Sequence, residues 1–288
     1  MSPTLRARAV ATPVLERGRS VGVSLGGTRS AAYFDFDGFV VAVTAAGVPL
    51  MPNGIGVDET SVAGPASGAR ATLGPGRLAA GTTSVRWAAT RGPAWDPRAT
   101  PGREPVRLQD LARAALKACC VDPAGSLAAH LGAGGNARGI AVLLDAVATR
   151  DPAAAERAAG ELLGRGPGLT PEGDDWLAGC AATVATWGDA AGWAVGPRRR
   201  WLGALCPPDA RRRTTALSAT LLELAVTGQV VEPVGRVLEL TESSVGNAPA
   251  RLLCVGHSSG RAYVLAIGAT AWSLGAPAFI GSKRARSA

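Results

Sequence analysis

A twelve-residue stretch near the middle of the chain constrains the fold more than any other, because residues 164–175 read GRGPGLTPEGDD. The stretch follows an alanine-rich helical run, and Gly164 is placed to end that helix, since glycine accepts the left-handed conformation of a helix C-cap. Thr170 and Pro171 then predict the N-cap and the first residue of a new helix, because the threonine hydroxyl accepts a free backbone N–H and proline has none to lose. We therefore predict a glycine-rich loop between two helices.

The new helix begins with three acids and then carries no charge. Glu172, Asp174 and Asp175 fall in its first turn, where the helix dipole favours negative charge. No charged residue follows from Trp176 to Trp187, which predicts a helix buried along its length. Two carboxylates at the start of a buried helix, beside a glycine-rich loop, make Asp174 and Asp175 the leading candidates for a functional site.

The same residues also have a purely structural explanation. Acids in a first turn are ordinary capping chemistry, and glycines between helices are ordinary turn chemistry. The density of glycine, proline and acid favours a binding site, because glycine lets a ligand approach the backbone closely. Gly166, Gly168, Thr170 and Gly173 are therefore predicted to bind substrate, and the structural explanation stays open beside this one.

The first hundred residues have the pattern of a small β-structure. Short apolar runs separated by glycine, proline and aspartate occur at 21–25, 31–36 and 39–43, and again around Ile55, Leu73, Leu78 and Val85. The dipeptide Asp37-Gly38 between two of these runs indicates a β-hairpin. The spacing predicts an antiparallel barrel or sandwich over residues 1–98.

Beyond a predicted linker at residues 99–106, the apolar period becomes helical, and residues 107–288 are predicted to form a mainly α-helical domain. Helices are predicted over 106–120, 136–150, 152–163, 214–226, 232–240, 249–255 and 258–274. Asp151-Pro152 predicts a helix start of the same kind as Thr170-Pro171. The predicted fold class is α+β, with an N-terminal antiparallel β barrel or sandwich-like subdomain followed by the helical domain.

The net charge is +8, and all but two of the 30 basic residues are arginines. They are scattered apart from the triplets at 198–200 and 211–213. A basic stripe with interleaved aromatic residues is missing from the sequence, so we expect no nucleic-acid partner. We interpret the charge mainly as a compositional bias, with attraction of an anion or an acidic partner as the alternative.

The numbers and spacing of the cysteines and histidines limit which disulfides and metal sites the chain can form. Five cysteines, an odd number with no C-x-x-C spacing, argue against a disulfide framework. The presence of only two histidines argues against a zinc site, so no metal ligand is predicted, and a cofactor stays unknown. The first twenty residues contain no apolar signal core. The uncharged run 263–281 contains glycines and a proline that make it a poor membrane span. We expect a cytoplasmic protein with no membrane partner.

Residues 256–260 read GHSSG and match the G-x-S-x-G pattern of α/β-hydrolases. That fold needs an acid and a histidine after the serine, and residues 261–288 contain no Asp, Glu or His, so this class of enzyme is excluded. Gly256 instead predicts the end of a helix. Ser258 or Ser259 predicts the cap of the next helix, whose free N–H groups would bind an anion. His257 either donates to a carboxylate or phosphate or is a structural histidine.

Residues 132–137 match the glycine pattern of dinucleotide-binding loops. They follow a helical run and no strand, so a loop between two helices with Asn136 as N-cap is favoured.

Three stretches resemble one protein family. GLTPEGDD at 168–175 with its apolar helix, RTTALS at 213–218 and GHSSG at 256–260 have the order and separation of the AllH-like family. The resemblance covers the C-terminal half of the chain. Members of this family resemble a subunit of bacterial oxamate carbamoyltransferase, which acts with other subunits in the nitrogen-recovery end of allantoin breakdown. The resemblance therefore implies a subunit of a carbamoyltransferase-type complex, with other protein subunits as partners, and leaves open whether this chain carries the activity itself.

We predict that the three stretches converge on one pocket for a small anionic metabolite, namely a carboxylate, carbamoyl or phosphate compound. Asp174 or Asp175 would orient an amide, or act as a base if burial raises its pKa. The catalytic candidates are Asp174, Asp175 and His257. The substrate-binding candidates are Gly166, Gly168, Thr170, Gly173, Thr214, Ser218, Ser258 and Ser259. Thr214 and Ser218 are included because one helical turn separates them. The alternatives are a non-catalytic partner subunit and a ligand-sensing protein.

Overall fold

The computed structural model describes residues 4–88, 94–101, 108–121, 135–239 and 247–275. An N-terminal β-barrel is followed by helices that pack around one buried helix, so the predicted α+β class is confirmed. Some sequence predictions lie partly outside the described residues: the linker at 99–106, the glycine pattern at 132–137, the end of the uncharged run at 263–281, and the ends of the helical ranges 106–120 and 232–240. The helical run predicted just before residue 132 lies wholly outside them. The boundary between a β-rich and a helical domain stays a prediction.

The strands form one sheet that closes on itself. They are β1 Thr4–Ala11, β2 Ser20–Gly27, β3 Ala31–Phe36, β4 Phe39–Thr44, β5 Gly54–Val57, β6 Arg70–Gly74, β7 Arg77–Ala80, β8 Thr83–Arg86 and β9 Ala94–Trp95. Their order in space is β5-β4-β3-β2-β6-β7-β8-β1-β9, and the pairing of β1 with β5 closes an eight-stranded barrel. Strand β9 adds to β1 outside that circle.

The barrel is mixed. The pairs β1–β8, β1–β9 and β4–β5 are parallel, and the remaining pairs are antiparallel. The predicted hairpin at Asp37-Gly38 is confirmed: Phe36 pairs with Phe39, and the two turn residues have φ values of 54° and 85°. Two positive φ angles are those of a type I′ turn, whose twist matches the flanking strands.

The seven ranges predicted to be helical and the predicted buried helix after Thr170-Pro171 each contain a helix, with ends that differ by a few residues. The helices are α1 Thr12–Leu15, α2 Leu108–Ala118, α3 Ala137–Thr149, α4 Pro152–Leu162, α5 Glu172–Trp187, α6 Val195–Leu205, α7 Ala210–Arg213, α8 Ala216–Ala225, α9 Glu232–Leu238, α10 Ala248–Leu253 and α11 Ser259–Gly275. The start of α4 follows the prediction, since the Asp151 side chain accepts a hydrogen bond from the Ala153 N–H. Helices α1, α6 and α7 were not predicted, because they are short or carry glycine, proline and arginine triplets. Within the described residues, no helix has the length and apolar character needed to cross a membrane.

Helix α5 is the centre of the helical part. Every residue of α5 except Glu172 and Ala185 is buried, as its uncharged sequence predicts. Helix α11 packs along it, and α4, α6, α8 and α9 also contact it. The first turns of α5 and α11 therefore lie side by side, which brings two of the three family-like stretches together.

Helix α8 joins the helices to the barrel. Its Leu224 belongs to the apolar core of the barrel. The fully buried Thr220 accepts a hydrogen bond from the Val40 N–H of β4 at 3.1 Å and donates to the Ala216 carbonyl at 2.9 Å. This hydrogen bond gives the buried Val40 N–H an acceptor on α8.

We expect the Thr220→Val substitution to lower the free energy of unfolding by about 1–3 kcal/mol, because it keeps the shape of the side chain but leaves the buried Val40 N–H without an acceptor. Denaturant unfolding at constant temperature measures the change. The control is Thr72→Val on the exposed face of β6, where we expect a change within about 0.5 kcal/mol. Equal effects of the two substitutions would contradict this account of the junction.

Candidate functional site

The loop between α4 and α5 has the backbone that its glycines predict. Gly164 directly follows the α4 C-cap with φ of 73°, and Gly166 and Gly168 have φ values of 120° and 97°. A side chain at Gly164 would in addition collide with the Arg213 carbonyl oxygen. Glycine at 164 is thus required both by the left-handed backbone and by the close approach of a second chain segment.

Gly173 has a packing explanation of its own. It lies in the first turn of α5, where a Cβ would collide with the carbonyl oxygen of Leu162 at the end of α4. Its N–H donates to the Arg165 carbonyl at 2.8 Å. The contact of α4 with the start of α5 therefore accounts for this glycine, and a role for Gly173 in binding substrate stays a prediction.

Asp174 is buried and holds three chain segments together. The residue is 3% exposed. Its Oδ1 atom accepts a hydrogen bond from the Gly164 N–H at 2.8 Å, and its Oδ2 atom accepts one from the Thr214 hydroxyl. Burial raises the pKa of Asp174, while hydrogen bonds from Thr214, Gly164 and Ser218 act in the opposite direction. The carboxylate thus ties the loop and the approach to α8 to the first turn of α5.

The predicted helix over 214–226 begins two residues too early. Helix α8 starts at Ala216, Thr214 has an extended backbone, and Thr215 is the N-cap whose hydroxyl accepts from the Ser218 N–H at 3.1 Å. The helical-turn argument for Thr214 and Ser218 is therefore wrong. Both hydroxyls nevertheless reach Asp174, because the extended backbone of Thr214 and the first turn of α8 approach it together.

Asp175 is as deeply buried as Asp174 but less well satisfied. The residue is 2% exposed, and Oδ2 has no hydrogen-bond partner in the part of the chain that the structure describes. Burial raises the pKa of Asp175 to about 7; a hydrogen bond from Ser259 lowers it, and the charges of Asp174 and Glu172 raise it. A carboxyl group in this state exchanges its proton near neutral pH.

Thr170 is not the N-cap of α5. Pro171 takes that position, with its carbonyl accepting from the N–H groups of Asp174 and Asp175, and no side chain caps the helix. The Thr170 hydroxyl instead lies 2.8 Å from the Ser259 hydroxyl at the start of α11. This contact bridges the loop and the second helix start.

The first four residues of the GHSSG stretch have different surroundings. Gly256 was predicted to end a helix, but α10 already ends at Leu253 with Cys254 as its C-cap, and Gly256 lies in the turn that follows, with φ of 63°. Ser259 is half-buried against Thr170 and Asp175. Ser258 is exposed, and its carbonyl accepts from the Ala262 N–H at 3.0 Å. His257 is exposed in the turn before α11, and its imidazole forms no hydrogen bond within the described residues. The structure therefore joins Ser259, but not His257, to the aspartates.

A pocket of about 280 Å³ lies on the outer side of the loop, between the barrel and α8. Leu169 from the loop and Leu25 from β2 both line it. The Leu169 carbonyl accepts from the Thr215 hydroxyl at 2.6 Å and from the Ser218 hydroxyl at 3.4 Å. The loop therefore separates this pocket from the two buried aspartates.

Sequence reasoning missed three residues of this arrangement. Tyr263 is buried on α11, and the charges of Asp175 and Asp174 add to burial in raising its pKa, which places the phenol beside the carboxylates. It stands one helical turn after Ser259, so helical spacing could have found it. Thr215 contributes as the N-cap of α8, and Leu169 contributes through its backbone carbonyl. No pattern of side chains in the sequence predicts such contacts.

A metal centre is not visible at these carboxylates. In residues 4–88, 94–101, 108–121, 135–239 and 247–275, no group of three or more His, Cys, Asp or Glu side chains could hold a metal ion. All five cysteines lie in these ranges as free thiols.

Comparison with known proteins adds one match. The family model described as oxamate carbamoyltransferase subunit AllH matches residues 162–270. Over this segment the chain is AllH-like. The AllH-like segment begins at the end of α4 and ends within α11, so it contains the loop, both aspartates, Thr214, Ser218 and Ser259. Neither a curated protein nor a solved structure matches the chain.

We expect Asp174→Ala to lower the free energy of unfolding by about 1–3 kcal/mol or more, because it leaves the Gly164 N–H and the Thr214 hydroxyl without their buried acceptor. Denaturant unfolding measures the change. Glu156→Ala, at an exposed acid of α4, is the control and should stay within about 0.5 kcal/mol. A small effect of Asp174→Ala would show that the carboxylate does not hold the loop.

Asp175 should make stability depend on pH. Its pKa is about 7 in the folded state and 3.8 in the unfolded state, so the folded protein keeps the proton up to a higher pH than the unfolded protein does. Stability of the wild type should therefore fall as pH rises from about 4 to about 7, relative to Asp175→Asn, and the difference should stay constant above that range. The full difference is at most about 4 kcal/mol.

Thermal unfolding of both proteins at a series of pH values measures this difference. We expect the melting temperature of the asparagine variant to rise relative to that of the wild type as pH increases, and the two melting temperatures to become equal at about pH 4. A gap that does not change with pH would mean that Asp175 titrates normally.

Proposed function

We propose that the chain is a subunit of a carbamoyltransferase-type complex and that Asp175 acts on a small carboxylate, carbamoyl or phosphate compound. The AllH-like segment supports the reaction class, since its family model is described as an oxamate carbamoyltransferase subunit. The observation that carries the role of Asp175 is its buried carboxylate at the meeting of two helix starts, with one oxygen that has no partner among the residues the structure describes. The predicted cytoplasmic location is part of this proposal.

The state of Asp175 suits a general base. A base works best when its pKa lies near the working pH, because it is then both available in the ionised form and basic enough to take a proton. Burial moves Asp175 into that range. In carbamoyl transfer from carbamoyl phosphate to an amide, the ionised carboxylate would take the N–H proton as the amide nitrogen forms a bond to the carbamoyl carbon. The bond from that carbon to the phosphate oxygen breaks, and inorganic phosphate leaves.

The start of α11 would hold the anionic end of the compound. Backbone N–H groups at a helix start point outward and attract negative charge, which gives Ser258 and Ser259 a binding role. His257 is exposed next to them and is free to turn toward a bound carboxylate or phosphate. Thr214 and Ser218 would act indirectly, by fixing Asp174 beside Asp175.

Access to Asp175 requires the loop to move. The carboxylates are 3% and 2% exposed, so a ligand meets them only when the loop over them opens. The hydroxyl contact of Thr170 with Ser259 and the bonds to the Leu169 carbonyl are the links that must part. Gly166 and Gly168, with their positive φ angles, would serve as the flexible points of this motion.

A non-catalytic role is the second candidate, and the same burial favours it. If the loop never opens, Asp174 and Asp175 only stabilise the meeting of α4, α5, α8 and α11. The chain would then support another subunit or sense a ligand without turnover, and the two experiments below separate these outcomes.

We expect one of oxamate, oxalurate or carbamoyl phosphate to raise the melting temperature of the wild type, because a ligand that binds only the folded state stabilises it. Each compound is tested with and without magnesium. Asp175→Asn and His257→Ala should lose the shift, whereas Asp209→Asn, at an exposed acid before α7, should keep it. Equal shifts in all four proteins would contradict binding at this site.

In the assembled complex, Asp175→Asn should lower kcat by about 100-fold or more, the usual effect of removing a general base. The wild-type kcat should rise with pH through about 7, since the ionised carboxylate is the active form, and the variant should lack this rise. Asp209→Asn is again the control. A variant complex with full activity would leave the non-catalytic role as the better description.

A further inference from the structure

The outer face of strand β2 carries three exposed apolar side chains in a row. Val21, Val23 and Leu25 are 53%, 44% and 41% exposed. Strand β2 pairs with β3 on one side and β6 on the other, so these residues lie on the open face of the sheet and not at an edge. Such outward positions are usually polar when water covers them. We call Val21, Val23 and Leu25 the apolar stripe.

Arginines border the apolar stripe on the β6 side. Arg70 pairs directly with Val23 across the strands, and Arg77 of β7 pairs with Arg86 of β8. Arg19 and Arg77 line a second pocket, of about 440 Å³, at the Val21 end of the stripe. In the described part of the chain none of these four arginines forms an ion pair, so their charges are available to a partner.

The other end of the apolar stripe is the 280 Å³ pocket next to the glycine-rich loop. Leu25 lines it together with Leu169, which is 58% exposed. The rest of its lining consists of Gly26, Gly27, Ala216 and Leu217 together with Thr28, Tyr33 and Thr215. A concave apolar pocket of this size fits one large side chain of a partner, the usual anchor of a protein interface.

These observations together define one surface with two different ends. The three side chains of the stripe span about 13 Å along β2, from a pocket lined by arginines to a pocket lined by leucines. We propose that this face of the barrel is the docking surface for a different protein subunit. That subunit presents a large apolar side chain for the Leu25–Leu169 pocket and carboxylates for Arg19, Arg70 and Arg77.

Charge complementarity selects this occupant. A polypeptide with acids beside an apolar ridge satisfies the unpaired arginines and covers the stripe at once, as charged rims and apolar centres do in protein interfaces. A second copy of this chain carries a net charge of +8, so it lacks the excess of acidic residues that would pair with the arginines of this surface. The identification of the occupant as another subunit rests on the proposed function, while the surface itself involves neither Asp174 nor Asp175.

Docking on this face would also contact the loop. Leu169 forms one wall of the pocket, and its carbonyl accepts the hydrogen bonds that hold the loop against α8. A partner side chain in the pocket would therefore press on the segment that covers the aspartates. The state of the loop and the occupancy of the pocket are coupled through this one residue.

The test begins with the tagged full-length chain purified at native levels from its own organism, with any stoichiometric partner identified by mass. The purified partner is then titrated against variants of the chain. Val23→Asp and Leu25→Asp should each weaken the Kd by about 100-fold, because they place a charge in the centre of the interface. Arg70→Glu should weaken it by about tenfold, with the loss largest at low salt.

The matched control is Val195→Asp. Val195 is 60% exposed at the start of α6 and lines a different pocket, so its substitution should leave the Kd within about twofold. Circular dichroism checks that each variant is folded. Asp175→Asn should bind the partner normally, so a failure of the proposed catalysis and a failure of this surface give different results.

Several outcomes would overturn the proposal. One is full affinity of Val23→Asp, and another is an equal loss of affinity in Val195→Asp. A homodimer of the chain that Val23→Asp dissociates would assign the face to a second copy. Binding to phosphatidylserine vesicles that Val23→Asp abolishes, with partner binding intact, would assign it to a membrane. Isolation of the chain as a monomer without a stoichiometric partner would also contradict it.

Discussion

The arrangement of the helices depends on one buried carboxylate. Asp174 accepts hydrogen bonds from the N–H of Gly164 and the hydroxyl of Thr214, which belong to segments 10 and 40 residues away along the chain. A buried charge without such partners would cost several kcal/mol, so the donors and the acid require each other. This requirement fixes how the end of α4, the start of α5 and the approach to α8 meet.

The neighbouring Asp175 shows that position alone can give two identical side chains different surroundings. Successive residues of a helix point about 100° apart, so Asp174 faces the loop and α8 while Asp175 faces α11. Asp174 meets several donors there, and Asp175 meets Ser259 and Tyr263. Pairs of acids whose environments differ in this way are a common basis for assigning separate structural and chemical roles.

Much of this architecture could be predicted from the sequence, since its main signals are local. Turn chemistry at Asp37-Gly38, helix starts at Asp151-Pro152 and the uncharged run after Asp175 each predict what the structure shows. The parallel strand pairs and the role of Thr170 could not be predicted, because each depends on a contact far along the chain. A threonine before a proline has the pattern of a cap, and only the approach of α11 shows that its hydroxyl bonds to Ser259.

The same limit applies to the candidate site. Sequence patterns identify Asp174, Asp175 and the serines of GHSSG as candidates. Their burial and their hydrogen-bond partners follow from packing alone. The exposure of Val21, Val23 and Leu25 is a further example. An alternating apolar strand predicts an inward face, and in β2 the outward positions are the apolar ones.

The way β1 closes the barrel has a consequence for how the chain folds. Residues Thr4 to Arg6 pair with β8 about eighty positions later, and Val10 pairs with β9 later still. The ring of strands therefore stays open until the chain has been synthesised as far as Arg86 at the end of β8. Loop-closure entropy makes such distant pairing slow compared with helix formation, so closure of this ring is expected to be a late event in the kinetics of folding.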